Sequence, residues 1–332
     1  MAKFVEELRA GLQTSEPVSL MKSGDRGRVL GRTVFRSGRG FVVQTDPKHA
    51  MAVIDATGVS RQNSTPGRKL TSVEEQSLST PLTPAMHSQY RGCVGKLIYA
   101  SLDRSDLSFA VKELASGLAA PTELDWFLLE LVAKYLVGRE SALIRMEVDM
   151  TGGHAPTVLN VYSDSDWAGN TRTRKSVSGG YASWGNCCVG HWCRNQSTIA
   201  MSSCEAELYA CTSGIAEGLY TCQLLNELGF DVKMVLWCDS FSALNVMQKP
   251  GVSRPLRHVH VRYLYMQDLI QQGIFVCKKV LGTDNGADLL TKFPTVEMLR
   301  NHVSKLGLSF VSAQEALGQQ AVVVKIVKPA VP

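Results

Sequence analysis

The chain has 332 residues, 45% of them apolar and 20% charged, with a net charge of +5. That composition supplies a packed core, excludes a wholly disordered polypeptide, and permits nucleic-acid binding without demanding it. No apolar run reaches the roughly 18 residues of a membrane span and no secretory signal opens the chain, so the nine scattered cysteines read as reduced thiols of a cytoplasmic or nuclear protein.

Length predicts about two domains. A short helix is expected over Phe4 to Leu12. Alternation over Arg28–Phe35 and Phe41–Gln44, around Ser37-Gly38-Arg39-Gly40, predicts one hairpin with a Gly-rich turn. Lys48 to Ala56 reads as helix, and the Ser, Thr and Pro of residues 58–85 read as linker. Helices are expected over Gln89–Leu102, Leu107–Leu118 and Glu123–Val137, with Pro121-Thr122 as break and cap. Thr151 to Pro156 marks a boundary. Three strands follow, near 158–164, 177–185 and 187–194. A long helix covers Ser203 to Leu228, with Leu208, Cys211, Ile215, Leu219, Cys222 and Leu225 on one stripe. A fourth strand ends at Asp239 and a short helix spans Ser242 to Gln248. A helix from His258 to Gln271 comes next, then a strand over Ile274–Leu281 and a last helix carrying Asp288. Residues 309–332 read as a tail, dispensable for folding.

Four carboxylates stand in distinct settings. Asp164 and Asp239 end apolar strand-like runs, Glu207 sits in the first turns of the long helix, and Asp288 lies in Asn285-Gly286-Ala287-Asp288-Leu289-Leu290. Acids at strand ends and helix starts can converge on one sheet edge. Such a cluster repels itself unless cations sit in it, and hard divalent ions suit oxygen ligands. Two ions about 3.5–4 Å apart are a standard device for phosphodiester attack.

Taken one at a time, each acid could be a turn residue or a helix cap. The motifs around them decide the matter together. Tyr162-Ser163-Asp164-Ser165-Asp166-Trp167-Ala168-Gly169 resembles the opening strand of the ribonuclease H domain in copia-type retrotransposon Pol polyproteins. Arg174 to Gly179, Gln196 with Ser202 to Tyr209, Cys238-Asp239-Ser240, Arg257 to Tyr263 and Ala287 to Lys292 follow the same family in order. Upstream, Tyr90 to Tyr99 and Asp103-Arg104-Ser105-Asp106 resemble the connection after the polymerase. The resemblance covers roughly residues 25–308.

It implies an α/β fold: a ribonuclease H-like five-stranded mixed sheet with flanking helices over 155–308. This would follow a partial reverse-transcriptase end and linker over 1–85 and a helical connection over 86–150, with 309–332 as a tail. The implied activity is endonucleolytic cleavage of the RNA strand of an RNA–DNA hybrid with two Mg²⁺ ions, or Mn²⁺ in their place. Asp164 would bridge the ions, Asp288 would help hold the one that activates water, and Glu207 and Asp239 the one at the leaving oxygen. The acid order Asp, Glu, Asp, Asp argues against a transposase or integrase, which read Asp, Asp, Glu. Asp166 shares the strand face of Asp164 and is expected to be an accessory.

Ser240, Asn245, Arg257, His258 and Arg262 are the candidate nucleic-acid contacts, with helix capping as the plainer role for His258. Partners would be the hybrid and the remainder of the Pol polyprotein, with no membrane. Cys187, Cys188, His191 and Cys193 are poorly spaced for zinc and read as buried thiols. Lys278 to Asp284 lacks the histidine that many ribonucleases H carry before the last acid. No Tyr-x-Asp-Asp occurs, so DNA synthesis is not expected. The alternative is a catalytically decayed fragment that only binds nucleic acid.

Overall fold

A computed structural model describes residues 18–150, 153–170, 173–251, 257–259 and 263–317. The expected helix over Phe4–Leu12 lies outside these residues, as does 318–332. Ten strands fall into two five-stranded sheets.

The first sheet uses β1 (Arg26–Val29), β2 (Arg32–Arg36), β3 (Phe41–Gln44), β4 (Ser141–Met146) and β10 (Leu308–Val311). Its order is β1-β2-β3-β4-β10, antiparallel throughout. The run from Arg28 to Phe35 was expected as one strand. It is instead split by a two-residue turn, with Val29 opposite Arg32. Leu30 and Gly31 both take positive φ, 49° and 80°, as the twist of a tight hairpin favours.

Helices α1 (Lys48–Thr57), α2 (Ser72–Ser77), α3 (Pro84–Ser101), α4 (Ser108–Ser116) and α5 (Glu123–Leu136) belong to the same half of the chain. The starts of α3 and α5 follow the sequence signals. Thr83 caps Pro84 at the first turn of α3, and the Asp125 carboxylate accepts from the Thr122 backbone N–H at 2.7 Å before α5. Helix α2 lies inside the expected linker, opened by a Thr71–Glu74 capping box.

A boundary at residue 85 would cut a hydrogen-bonded sheet, because β3 pairs with β4 about a hundred residues later. The expected tail is also engaged. Ser309 to Val311 pair with Leu143 to Ser141, and the short helix α10 (Ala313–Leu317) follows. Gln44 Nε2 donates to Ala316 O at 3.0 Å, and Ala313 N to Glu140 Oε2 at 3.0 Å. Strand β4 presents an open edge to these residues, and pairing satisfies it.

The second sheet uses β5 (Val158–Asp166), β6 (Val177–Trp184), β7 (Cys187–Asn195), β8 (Lys233–Cys238) and β9 (Phe275–Lys279), in the order β7-β6-β5-β8-β9. The first three are antiparallel; β8 and β9 run parallel to β5. This is the mixed sheet of the ribonuclease H fold. Helix α6 (Ser203–Glu227) crosses its face, and Leu208, Cys211, Ile215, Cys222 and Leu225 are buried beneath it as the stripe foretold. Cys187 is buried, while Cys188 and Cys193 are half-buried thiols.

After α7 (Phe241–Gln248), the next helix, α8, spans only Tyr265–Gln271. Val259 is buried and His258 is tied to α6, which holds 257–259 as a turn rather than the expected helix start. Asp288 sits in a 3-10 turn, Gly286–Leu290, not a full helix. Helix α9 (Val296–Lys305) then leads into β10.

The two sheets share a core. Tyr90, Leu97, Leu107, Leu114 and Leu129 of the upstream half cluster with Ala287, Leu289, Leu290, Leu299 and Leu306 of the downstream half. The turn bearing Asp288 is thus seated partly on upstream helices.

Candidate active site

The register places two acids side by side. Tyr162 of β5 stands opposite Trp237 of β8 in the parallel pair. Asp164 lies two residues beyond the first and Asp239 two beyond the second, so both arrive at the same sheet edge. Glu207 reaches that edge from the second turn of α6, and Asp288 from the 3-10 turn. Asn285 ties this turn to the sheet: its Nδ2 donates to Ser163 O at 3.0 Å, and its Oδ1 accepts from Ala287 N at 3.2 Å.

The four acids act on one another in a ring. Burial first, then the charges of Glu207 and Asp288, push the Asp164 carboxyl well above the usual carboxylate range. Burial, then Cys238 and Asp239, push Glu207 up to about 9. Burial, then Asp288, raise Asp239. Without cations Asp164, Glu207 and Asp239 therefore hold protons they would otherwise lose.

Neighbours fix the carboxylates. The Thr291 hydroxyl, fully buried, donates to Asp164 Oδ2. Ser165 donates to Glu207 Oε1 through its hydroxyl at 2.9 Å and its backbone N–H at 3.3 Å. Lys279 Nζ donates to the Asp239 carbonyl at 2.5 Å, and Lys292 Nζ lies 2.8 Å from Asp288 Oδ1. Gly179, opposite Asp164 on β6, lets the last turn approach: a Cβ there would sit 2.7 Å from Leu290 O.

Glu207, Cys238 and Asp239 each offer an atom within 4.8 Å of the others. The donor set is rich in hard carboxylate oxygen, which suits Mg²⁺ or Mn²⁺; a buried thiol beside it is less usual for those ions. Cys238, Ser165, Thr291 and Lys292 were not singled out as site residues in the sequence. Their adjacency to the acids was the available signal.

The other candidates are placed unevenly. Asp166 is half-buried, and burial raises its carboxyl against the opposing charges of Lys292, Lys69 and Lys112. Ser240 caps α7, its Oγ accepting from Ala243 N at 3.3 Å. Asn245 lies on the same helix, partly buried, and Arg257 is exposed. His258 Nε2 is 2.9 Å from Glu205 Oε2, which gives it an anchoring role. At Glu205, burial acts to raise the carboxyl. Hydrogen bonds from Tyr209, His258 and the Met201 backbone outweigh that and hold it below its ordinary value. Arg262 lies outside the described residues.

No protein-family model matches the sequence. A retrovirus-related Pol polyprotein from transposon RE2 of Arabidopsis thaliana is 30% identical over 223 residues, 67% of this chain and 15% of that protein. The corresponding polyprotein from transposon TNT 1-94 of Nicotiana tabacum is 29% identical over 205 residues, 61% of this chain and 15% of its own length. The chain belongs to the retrovirus-related Pol polyproteins of transposons. It spans about 15% of the length of these relatives. A secreted RxLR effector of Plasmopara viticola is 31% identical over 132 residues, 40% of this chain and 89% of that protein.

Two solved structures are also similar to this Pol segment. One is the N-terminal ribonuclease H domain of a Mycobacterium tuberculosis protein fused to maltose binding protein. It is 15% identical with a TM-score of 0.30, covering 45% of this chain and 96% of that one. The other is LC11 ribonuclease H1 in complex with an RNA/DNA hybrid. It is 14% identical with a TM-score of 0.31, covering 40% and 93%.

Proposed function

We propose that this Pol segment is a divalent-metal-dependent endonuclease that cleaves the RNA strand of RNA–DNA hybrids. The observation that carries the reading is the convergence of Asp164 and Glu207, both buried, with the half-buried Asp239 and Asp288 on one sheet edge, where like charges reach one another. Four such acids weaken a fold unless cations offset them.

Asp164, Glu207, Asp239 and Asp288 would hold the ions. When bound, divalent ions supply Lewis-acid charge stabilisation and an activated water. The chain's own residues prepare that chemistry. Thr291 and Ser165 orient Asp164 and Glu207, and burial keeps bulk water from screening the carboxylates. The charges of Lys69, Lys112 and Lys292 all reach Asp166; Lys112 is paired with Glu113, and the exposed Lys69 and part-exposed Lys292 would suit a phosphate backbone. Selectivity for RNA would rest on contacts to the 2′-hydroxyl and on groove shape. Ser240, Asn245 and Arg257 remain candidate contacts. The remainder of a Pol polyprotein would be a further partner.

All four acids are present and face one another, which favours an active enzyme over a decayed binding fragment. A gel assay with end-labelled RNA in a hybrid, in an RNA duplex and as a single strand tests the reading. Mg²⁺-dependent cleavage confined to the hybrid is expected. No cleavage of any substrate in Mg²⁺ or Mn²⁺ would refute it. No helix among the described residues is long and apolar enough to cross a membrane.

A further inference from the structure

Lys292 holds an unusual position for a cation. Its ammonium lies 2.8 Å from Asp288 Oδ1, and its charge also reaches Asp164 and Asp166. The residues on either side are fixed. Thr291 is fully buried and bound to Asp164. Phe293 packs edge-on against Phe109 of α4, ring centroids 4.9 Å apart. Between these two anchors the side chain of Lys292 is 41% exposed. Its base is held while its ammonium, on a four-carbon stem, can reach both the acids and the solvent.

An ammonium and a divalent ion compete for the same carboxylate oxygen, and two cations on one carboxylate repel each other. With an ion held by Asp288, the Lys292 ammonium would be free to turn toward its exposed side. The phosphate of a bound strand would be the anion within reach there.

We propose that Lys292 is an exchangeable counter-cation of this site: it holds Asp288 while no ion is bound, and transfers to a backbone phosphate of the nucleic acid when an ion takes the carboxylate. The inference rests on the nuclease reading above. It makes Lys292 both a competitor for metal and a substrate contact, whereas a purely structural lysine would be neither.

Two measurements on the full chain separate these roles. The first is calorimetric titration of the free protein with Mg²⁺, for wild type, Lys292→Met and Lys292→Arg. The pair is partly exposed, so its loss should tighten Mg²⁺ binding by Lys292→Met roughly two- to fivefold. The second is affinity for an RNA–DNA hybrid in Ca²⁺ across a salt series. Losing one phosphate contact should lower the slope of log affinity against log salt by about one. Lys292→Arg should keep the wild-type slope. Mg²⁺ binding that is equal or weaker in Lys292→Met overturns the proposal, and so does an unchanged slope. A wild type that binds neither Mg²⁺ nor hybrid overturns the nuclease reading as well. A wild type that binds both, matched by Lys292→Met, overturns this inference alone.

Discussion

Two groups of charged residues in this molecule are built on opposite plans. In the upstream half, Arg104 donates from Nε and Nη2 to the two oxygens of Asp106, both at 2.8 Å. The Tyr135 hydroxyl adds a third bond to Asp106 at 2.9 Å, and Arg104 Nη1 reaches the Arg139 carbonyl at 2.8 Å. The guanidinium also lies over the Phe310 ring of β10, 4.8 Å from its centroid. Opposite charges meet and their hydrogen-bonding capacity is largely used, so the group needs nothing from outside. At the edge of the second sheet, four carboxylates of one sign converge; Lys292 is ion-paired to the Asp288 carboxylate, and Lys279 reaches only the Asp239 carbonyl. On the proposed reading, added cations would complete that group. The same residue type, aspartate, is satisfied by an opposite charge in one setting and set against like charges in the other. What separates Asp106 from Asp164, both buried, is the sign of their neighbours.

The contrast can be broken first at the paired network. Asp106→Ala leaves a buried guanidinium without its carboxylate, a change that typically costs about 3–5 kcal/mol. Urea denaturation checks this, and a loss below about 1 kcal/mol would mean that water or a rearrangement replaces the pair.

A smaller effect is expected where the last turn packs against the second sheet beside the acids. Gly179→Ala puts a methyl against the Leu290 carbonyl, and overpacking of this kind costs about 1–3 kcal/mol. Because the displaced segment carries Thr291, cleavage should fall more than stability alone explains. A variant with wild-type turnover would show that the close approach at Gly179 does not set the position of the last turn.

The third test uses pH. Glu207 has its folded value raised from 4.5 to about 9. Its contribution is fully present below pH 4.5 and is lost as pH rises toward 9, because the folded chain keeps a proton that the unfolded chain releases. For a single such group the slope is at most about 1.4 kcal/mol per pH unit. The metal-free protein should therefore melt at a lower temperature at pH 8 than at pH 5.5, and Mg²⁺ should flatten the difference. A metal-free melting temperature that is flat or rising over this window would contradict the repulsive cluster.

The strands and long helix of the second sheet were legible because their signals are local, and its acids through the motifs that surround them. Asp164 and Asp239 end apolar runs, the stripe on α6 has helical spacing, and Thr122 and Pro121 mark a helix start. The first sheet was not legible, because β3 finds its partners at residues 141–146 and β4 finds its own at 308–311. No short window shows pairings of that separation. The same gap hid the docking of Ser309 to Leu317, which had read as a free tail. His258, among basic residues, read as either a phosphate contact or a helix cap. Only the fold reveals Glu205 beneath it, since the two lie 53 residues apart. Lys292 and Thr291 were in view as parts of a motif, but their roles depend on which acids the last turn brings them to.

The account turns most directly on Asp164, and the decisive measurement pairs hybrid cleavage with melting of the metal-free protein for Asp164→Asn, with Asp166→Asn as control. Asn keeps the shape and removes one of four mutually repelling charges. Cleavage should vanish at 164 and largely survive at 166, while metal-free Asp164→Asn melts at the wild-type temperature or slightly above it. Retained cleavage in Asp164→Asn, or a metal-free variant that melts many degrees lower, would contradict a cation-dependent acid cluster centred on this residue.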